Sequence, residues 1–287
     1  MSRHRRPAKQ TPPNPVKVWD DIASFWDESI TPGGNKYFHR LQAPCLDRLL
    51  GKHLHHGARC LDLATGNGLV ARWLLDKGVG WVLATDASTQ MMEIAERNFS
   101  AGGYDDSQYL CLQTDVTVLY DMSDLQEYGG KRQLFDIIVI NMALMDIERL
   151  DVLAEALPRL LNSNGVFVAT VLHPVFFTCN PSKSISISFD PATGEQVIKR
   201  SKVITEYLDV APAQGIACPN QPVKQTYYHR PIHELLSIFL KDGDMVLDAI
   251  EEPAFNKGDF DDKRVESSTN FTQLPALFAF RLRRRVP

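Results

Sequence analysis

The stretch "ARCLDLATGNGLVARWLL", residues 58–75, decides how this chain is read. An apolar run closes on Asp62, small residues follow from Ala64 to Gly68, and a segment with helical apolar spacing begins at Leu69. Strand, glycine turn and helix in that order open many nucleotide-binding α/β proteins. Glycine in such a turn allows positive φ and close approach of a ligand to the backbone. The turn is not GxGxxG, because Gly66-Asn67-Gly68 is followed by Leu69, Val70 and Ala71, and no GK[ST] follows to make a P-loop.

The same pattern repeats outward. "WVLATDAS" reads as a second strand and "TQMMEIAERNFSAGG" as a helix with a Gly-Gly stop. "QYLCLQTDV" is a third strand. A polar insertion over about 117–133 precedes "LFDIIVINMAL", a fourth. "IERLDVLAEALPRLLNSNG" is a helix and "VFVATVLHPVFF" a fifth strand. Near-continuous apolar strands alternating with helices predict a doubly wound, mostly parallel sheet covered on both faces. Upstream, "VKVWDDIASFWDES" and "APCLDRLLGKHL" read as helices, giving a helical lid over 18–57 ahead of a main domain over 58–287. Residues 178–226 are rich in Ser, Pro and Thr with one strand-like run, "VITEYLDV", and are expected to form an inserted cap over the site. "RPIHELLSIFLKDG" returns to helix, and "MVLDAIEE" and "LFAFRLRR" to strands.

The chain has 287 residues, 44% hydrophobic and 23% charged, with a net charge of -4, so no global field favours nucleic acid. No apolar run reaches the ~18 residues that suggest a membrane helix. The head, residues 1–17, is basic and proline-rich and is expected to be disordered. It lacks the apolar stretch of a secretory signal. A second basic run, "RLRRRVP", ends the sequence. Cys45, Cys60, Cys111, Cys179 and Cys218 show no ligand spacing, which predicts reduced thiols, no metal site and a cytoplasmic setting.

Ligands of open α/β sheets bind outside the carboxyl ends of the strands. Asp62, Asp86, Asp115, Asn141 and His173 all fall at or just past such ends. Two bland roles stand beside this: Asp86 as a cap of the next helix, and Asp115 as a turn residue.

Taken together, these segments resemble the class I S-adenosylmethionine-dependent methyltransferases, in their small-molecule branch. "DLATGNG" is similar to motif I, with Ala64 in the first glycine place, where a side chain disfavours positive φ. "VLATDAS" is similar to motif II. The resemblance implies that Asp86 holds the ribose hydroxyls and that Ala87, Ser88 and Met91 flank the adenine. "QTDV" implies that Asp115 and Val116 read the adenine edge. "FDIIVINMAL" is similar to motif IV, placing Asn141 and Met142 beside the methionine moiety. It lacks the Asn-Pro-Pro-Tyr/Phe of the DNA- and protein-amide-methylating branches. Asp62, Ala64, Thr65, Gly66 and Gly68 would cradle the cofactor, with Trp19 and Trp26 closing over it. The implied fold is Rossmann-like, seven-stranded, with the last strand antiparallel.

The implied activity is methyl transfer from S-adenosylmethionine to a small metabolite, with oxygen as the expected atom and S-adenosylhomocysteine as product. Transfer to nitrogen or carbon, to a protein or RNA guided by the basic tails, or a cofactor-binding homologue without transfer stay open, and a nicotinamide dehydrogenase is the remotest reading. Histidine is a common proton acceptor, so His173 is the expected base. Phe176, Tyr228, His229 and His233 are expected to contact the acceptor. The chain is expected to be a monomer or homodimer without a membrane or nucleic-acid partner.

Overall fold

A computed structural model describes residues 14–125 and 134–285. Most of the basic head, part of the 117–133 insertion and the last two residues lie outside the described residues. Strands β1 (Arg59–Leu63), β2 (Trp81–Asp86), β3 (Tyr109–Gln113), β4 (Phe135–Asn141) and β5 (Leu161–Leu172) alternate with helices α3 (Leu69–Asp76), α4 (Thr89–Ala101), α5 (Leu119–Asp124) and α6 (Asp151–Leu160). Helix α7 (Ile232–Leu240) leads into β10 (Met245–Glu251) and then β11 (Leu277–Arg284). These seven strands form one sheet in the order β10-β11-β5-β4-β1-β2-β3. β11 is antiparallel to both neighbours, and β1 through β5 run parallel. This is the class I methyltransferase sheet that the sequence predicts.

Alternate residues of one strand face opposite sides of a sheet. Leu61, Leu63, Leu83, Ile138, Ile140, Phe167 and Ala169 therefore enter one apolar layer. Cys60, Val82, Ala84, Ile137, Val139, Val166 and Val168 enter the other. Both sets are buried, which explains why these strands read as continuous apolar runs rather than alternating ones. From β1 the chain winds outward through β2 and β3, then returns to place β4 on the other side of β1. That reversal opens a crevice at the carboxyl ends.

Helix α1 (Pro15–Ile30) starts on the side chain of Asn14, which accepts from the Val16 N–H at 3.0 Å, and buries Val18, Ile22, Ala23 and Asp27. Val18, the adjacent pair Ile22 and Ala23, and Asp27 lie four to five positions apart, the stripe that the apolar spacing predicts. Helix α2 (Ala43–Leu50) buries Cys45, Leu46, Leu49 and Leu50 in the second apolar layer. No described helix is long and apolar enough to cross a membrane.

The cap differs from its sequence reading. It contains a hairpin, β6 (Ser182–Phe189) with β7 (Gln196–Val203), and a short pair, β8 (Ala213–Gly215) with β9 (Gln225–Tyr227). Only the first residue of "VITEYLDV" lies in a strand. Val203 pairs with Ser182, where β6 begins just after Pro181, so the chain beyond Val203 has no partner. The Ser-Ile alternation of β6 carried the strand signal instead, and Ile187 and Phe189 stay exposed on it.

Phe167 is fully buried at the centre of β5 and packs against Phe239 and Phe280 at ring separations of 5.5 and 6.2 Å. Phe167→Ala is expected to lower unfolding stability by about 3–5 kcal/mol in urea titration, because the three-ring cluster cannot collapse into the void.

Candidate functional site

A cavity of about 400 Å³ lies at the carboxyl ends of β1, β2 and β4, under α1. Its floor is the turn after β1. The Thr65 N–H donates to the Thr85 carbonyl at 2.8 Å, and the Gly68 N–H to the Thr65 carbonyl at 3.0 Å. Ala64, Gly66 and Gly68 have φ of 51°, 57° and 78°. Gly66 lines the cavity, and a Cβ there would meet no atom within 4 Å, so its bare backbone faces open space. Gly68 does not line the cavity. It caps α3, and a Cβ would meet Arg72 Nη1 at 2.9 Å and Ala95 and Phe99 at 3.3 Å. Its glycine is a packing requirement between two helices.

Asp86 ties two turns together. Its Oδ2 accepts from the Gly66 N–H and its Oδ1 from the Ser88 N–H, both at 2.9 Å. Ser88, not Asp86, is the N-cap of α4, accepting from the Met91 N–H at 3.1 Å. Burial pushes the Asp86 carboxyl up to about 6 against these bonds. Asp62 is buried and accepts from the Thr65 hydroxyl at 2.5 Å; burial pushes it up to about 7. Asp115 accepts from the Thr117 N–H and hydroxyl at 2.8 and 2.7 Å, so it also shapes its own turn. Asn141 is held on both sides: its amide donates to Gln42 at 3.0 Å, and its carbonyl accepts from the Thr170 hydroxyl at 2.7 Å. Met142 follows at φ 60°.

Helix α1 forms the roof. Trp19 and Trp26 meet edge to face at 5.2 Å and line the cavity with Met91. Two acids fasten the helix. Asp20 accepts from the Ser88 hydroxyl at 2.6 Å. Buried Asp27 accepts from the Asn67 and Asn98 side chains at 2.9 and 3.0 Å and pairs with Arg97 at 2.7 Å. Neither acid was anticipated from the sequence, although their seven-residue spacing places both on one helix face. Gln42 and Asp146, which also line the cavity, were missed as well.

The structure thus brings Asp62, Ala64, Thr65, Gly66, Asp86, Ala87, Ser88, Met91, Asp115, Val116, Asn141, Met142, Trp19 and Trp26 to one cavity. It does not bring His173, Phe176, Tyr228, His229 or His233 there. His173 is buried behind β5. Its Nδ1 accepts from the Val175 N–H at 3.2 Å, which leaves Nε2 to donate to Glu252 at 2.9 Å, so neither ring nitrogen is free to take a proton. Burial lowers its pKa, with Glu252 opposing. Phe176 packs on the His173 ring at 4.8 Å. The Tyr228 N–H donates to the Met145 carbonyl at 2.7 Å, His229 bridges Thr178 and the Tyr207 carbonyl at 2.7 and 2.6 Å, and His233 is exposed on α7.

Comparison with known proteins agrees with this architecture. Residues 61–169 match the family model described as "Methyltransferase domain". The chain is 20% identical to an S-adenosylmethionine dependent methyltransferase from Mesorhizobium loti, over 84% of this chain and 96% of that one, with a TM-score of 0.59. It is 16% identical to DhpI, solved with SAH, over 95% and 96% of the two chains, with a TM-score of 0.52. Among curated proteins it is 23% identical over 148 residues to the ubiquinone biosynthesis O-methyltransferase of Neisseria meningitidis, 51% of this chain and 57% of that one. It is 27% identical over 124 residues to an uncharacterized protein of Haemophilus influenzae, 43% and 45% of the two chains. The chain spans about half the length of these curated relatives.

Two predictions follow from the floor of the cavity. Ala64→Gly is expected to raise stability by about 1 kcal/mol in chemical denaturation, because it relieves a left-handed alanine. Asp62 has a raised folded-state pKa, so its contribution is present below the ordinary carboxylate range and is lost as pH rises through about 7. Asp62→Asn is therefore expected to gain stability relative to the parent chain between pH 4 and pH 8, by at most about 4 kcal/mol. Thermal melts across that range check it.

Proposed function

We propose that this chain, whose residues 61–169 are a methyltransferase domain set in a class I sheet, transfers the methyl group of S-adenosylmethionine to an oxygen of a small organic acceptor and releases S-adenosylhomocysteine. The observation that carries the reading is the convergence of Asp62, Gly66, Asp86, Asp115 and Asn141 on one cavity at the switch point of the sheet.

The residues fit the cofactor. Gly66 offers open backbone at the floor, and Asp86 faces the cavity with two oxygens that each keep acceptor capacity beyond the bonds to Gly66 and Ser88. A ribose diol is a donor pair for those oxygens. Asp115 and Val116 would hold the adenine edge, and Ala87 and Met91 its faces. Asn141 and Met142 would border the methionine moiety. When bound, the cofactor supplies a methyl group on a cationic sulfur. Trp19 and Trp26 offer π-faces to that charge and, with α1, keep water out. Positioning of acceptor and methyl in line supplies much of the rate in such a site.

A small acceptor is supported by the space. The cavity is at the lower end of the ordinary ligand-pocket range, and the roof helix is hydrogen-bonded down at two points. Two of the four C-terminal arginines are engaged within the fold: Arg281 binds Asp248 and the Leu49 carbonyl, and Arg284 the Leu161 carbonyl. That speaks against their guiding a macromolecule. An oxygen acceptor is supported by the likeness to the Neisseria O-methyltransferase. Cys45, Cys60 and Cys179 are buried free thiols, in keeping with a reducing, cytoplasmic setting.

Calorimetry with S-adenosylhomocysteine tests the reading. The parent chain is expected to bind, and Asp86→Ala to bind at least about 30-fold more weakly, since two charge-assisted bonds are lost. Methyl-tritiated cofactor and a panel of phenols and alcohols are expected to yield labelled product. A parent chain that binds neither the methylated nor the demethylated cofactor would overturn it.

A further inference from the structure

The cavity holds one buried carboxylate that the cofactor reading leaves unused. Asp146 ends the short turn Leu144–Asp146 after β4, is 7% exposed and lines the cavity. Its Oδ1 accepts from Gln225 Nε2 at 3.2 Å. Among the described residues, no donor meets Oδ2. Its second oxygen is not among the fully buried unpaired atoms, so it is left accessible to whatever occupies the cavity.

The surroundings hold this group firmly. Gln225, on β9 of the cap, is itself buried and accepts from Gln221 Nε2 at 2.8 Å. Gln221 accepts from the Ala217 N–H at 3.0 Å and donates to the Val223 carbonyl at 2.7 Å. A chain of amides thus runs from the cap to Asp146. The backbone on either side is pinned by Arg230, which donates to the Leu144, Ile147 and Glu148 carbonyls at 3.1, 2.8 and 2.6 Å. The Tyr228 N–H holds the Met145 carbonyl at 2.7 Å. A rigid backbone and an ordered amide chain around one under-bonded carboxylate describe a group placed for a ligand rather than for folding.

Its position along the sheet edge says which ligand. Neighbouring strands run β3, β2, β1, β4, and their ends carry Asp115, Asp86, Asp62 and Asn141 in that order. Asp146 follows β4 in the chain, and β4 stands at the other end of this row from β3, the strand that leads into Asp115. If the cofactor lies along this edge as proposed above, with adenine at Asp115, then Asp146 stands at the methyl end.

We propose that Asp146 is the acceptor-facing residue: its Oδ2 receives the proton of a hydroxyl or amine acceptor during methyl transfer, and Gln225 of the cap orients it. This rests on the methyltransferase reading. The acceptor's oxygen or nitrogen lone pair forms the bond to the methyl carbon. The carbon–sulfur bond breaks with its electron pair remaining on sulfur, which becomes neutral. The proton of the acceptor atom passes to Asp146. No further reactant is needed.

Burial pushes the Asp146 carboxyl up to about 8, so near neutral pH it exchanges its proton readily. The titratable and charged groups around it are Glu148 and Arg149 on its own loop, Tyr227 and Tyr228 from the cap, Arg230, and Asp62, Asp86 and Asp115 across the cavity. Tyr227 and Tyr228 are themselves pushed up by burial, with Asp146 adding to both.

The test has one arm that needs no acceptor. Calorimetry at pH 7.5 in phosphate and in Tris measures proton release on binding S-adenosylmethionine, cationic at sulfur, and S-adenosylhomocysteine, neutral there. A sulfonium held near Asp146 is expected to expel about half a proton more than the neutral ligand does. Asp146→Asn, which keeps the bond from Gln225, is expected to bind both ligands within about threefold and to abolish the difference. The second arm follows tritium transfer to catechol, 4-hydroxybenzoate and tyramine. Where the parent chain turns over, its rate is expected to rise with pH to a plateau above about 8, Asp146→Asn to lose at least about 100-fold, far more than its roughly threefold change in cofactor affinity, and Asp146→Glu to recover part of it. Equal proton release by the parent chain for the two ligands, or turnover by Asp146→Asn within about twofold of the parent, overturns the assignment. A parent chain that binds neither ligand defeats the methyltransferase reading instead.

Discussion

The Asp86 carboxylate is the constraint on which the site depends. It takes the Gly66 N–H with one oxygen and the Ser88 N–H with the other. The turn after β1 and the turn after β2 are therefore locked to one another at the carboxyl edge, where backbone N–H groups would otherwise go unpaired. Ser88 then caps α4 with its hydroxyl oxygen and donates that hydroxyl's hydrogen bond to Asp20, fastening α1 to the same point. Floor, helix and roof share one short network. Its members are buried or half-buried, so each bond acts in a medium less polar than water and counts for more.

Asp27 repeats this logic one turn-pair further along α1. Its side chain collects Asn67, Asn98 and Arg97, three donors from the β1–α3 turn and from α4. The Arg72 guanidinium closes the set by donating to the Asn67 carbonyl at 2.7 Å and the Pro32 carbonyl at 2.8 Å. Helix α1 is thus a roof with polar fastenings and an apolar stripe, and its tryptophans are held over the cavity rather than left to pack on the sheet. The left-handed alanine at position 64 fits the same picture: the turn is over-determined by the bonds around it, and local strain is tolerated where a ligand must approach.

The fold was legible because its signals are local and repeated. The parallel strands β1 to β5 each close on or beside a polar residue at the edge that holds the cavity, each helix has its own apolar stripe, and the glycines mark turns. The strand-end residues that line the cavity were legible for the same reason, since strand ends point to one edge whatever the rest of the chain does. Those expected to meet the acceptor lie outside that cavity. His173 reads as a strand-end base, yet the chain after it turns back and buries both ring nitrogens against Val175 and Glu252. Gly68 reads as a ligand glycine and serves the contact between α3 and α4. The cap misled through "VITEYLDV", whose strand propensity has no partner to pair with.

The sequence by itself determined the alternation of strands and helices, the edge at which the cavity opens and the acids placed along it. Period, glycine and strand end are properties of neighbouring residues, and they need no knowledge of distant ones. Only the tertiary structure decided which polar groups remain available at that edge. Asp20 and Asp27 became fastenings, His173 became an interior residue, and Asp146 became the under-bonded carboxylate of the cavity, because hydrogen-bond partners such as Gln225 arrive from segments about 80 residues away. Saturation of a donor or acceptor is a long-range property, and that is the physical reason it cannot be read from local sequence.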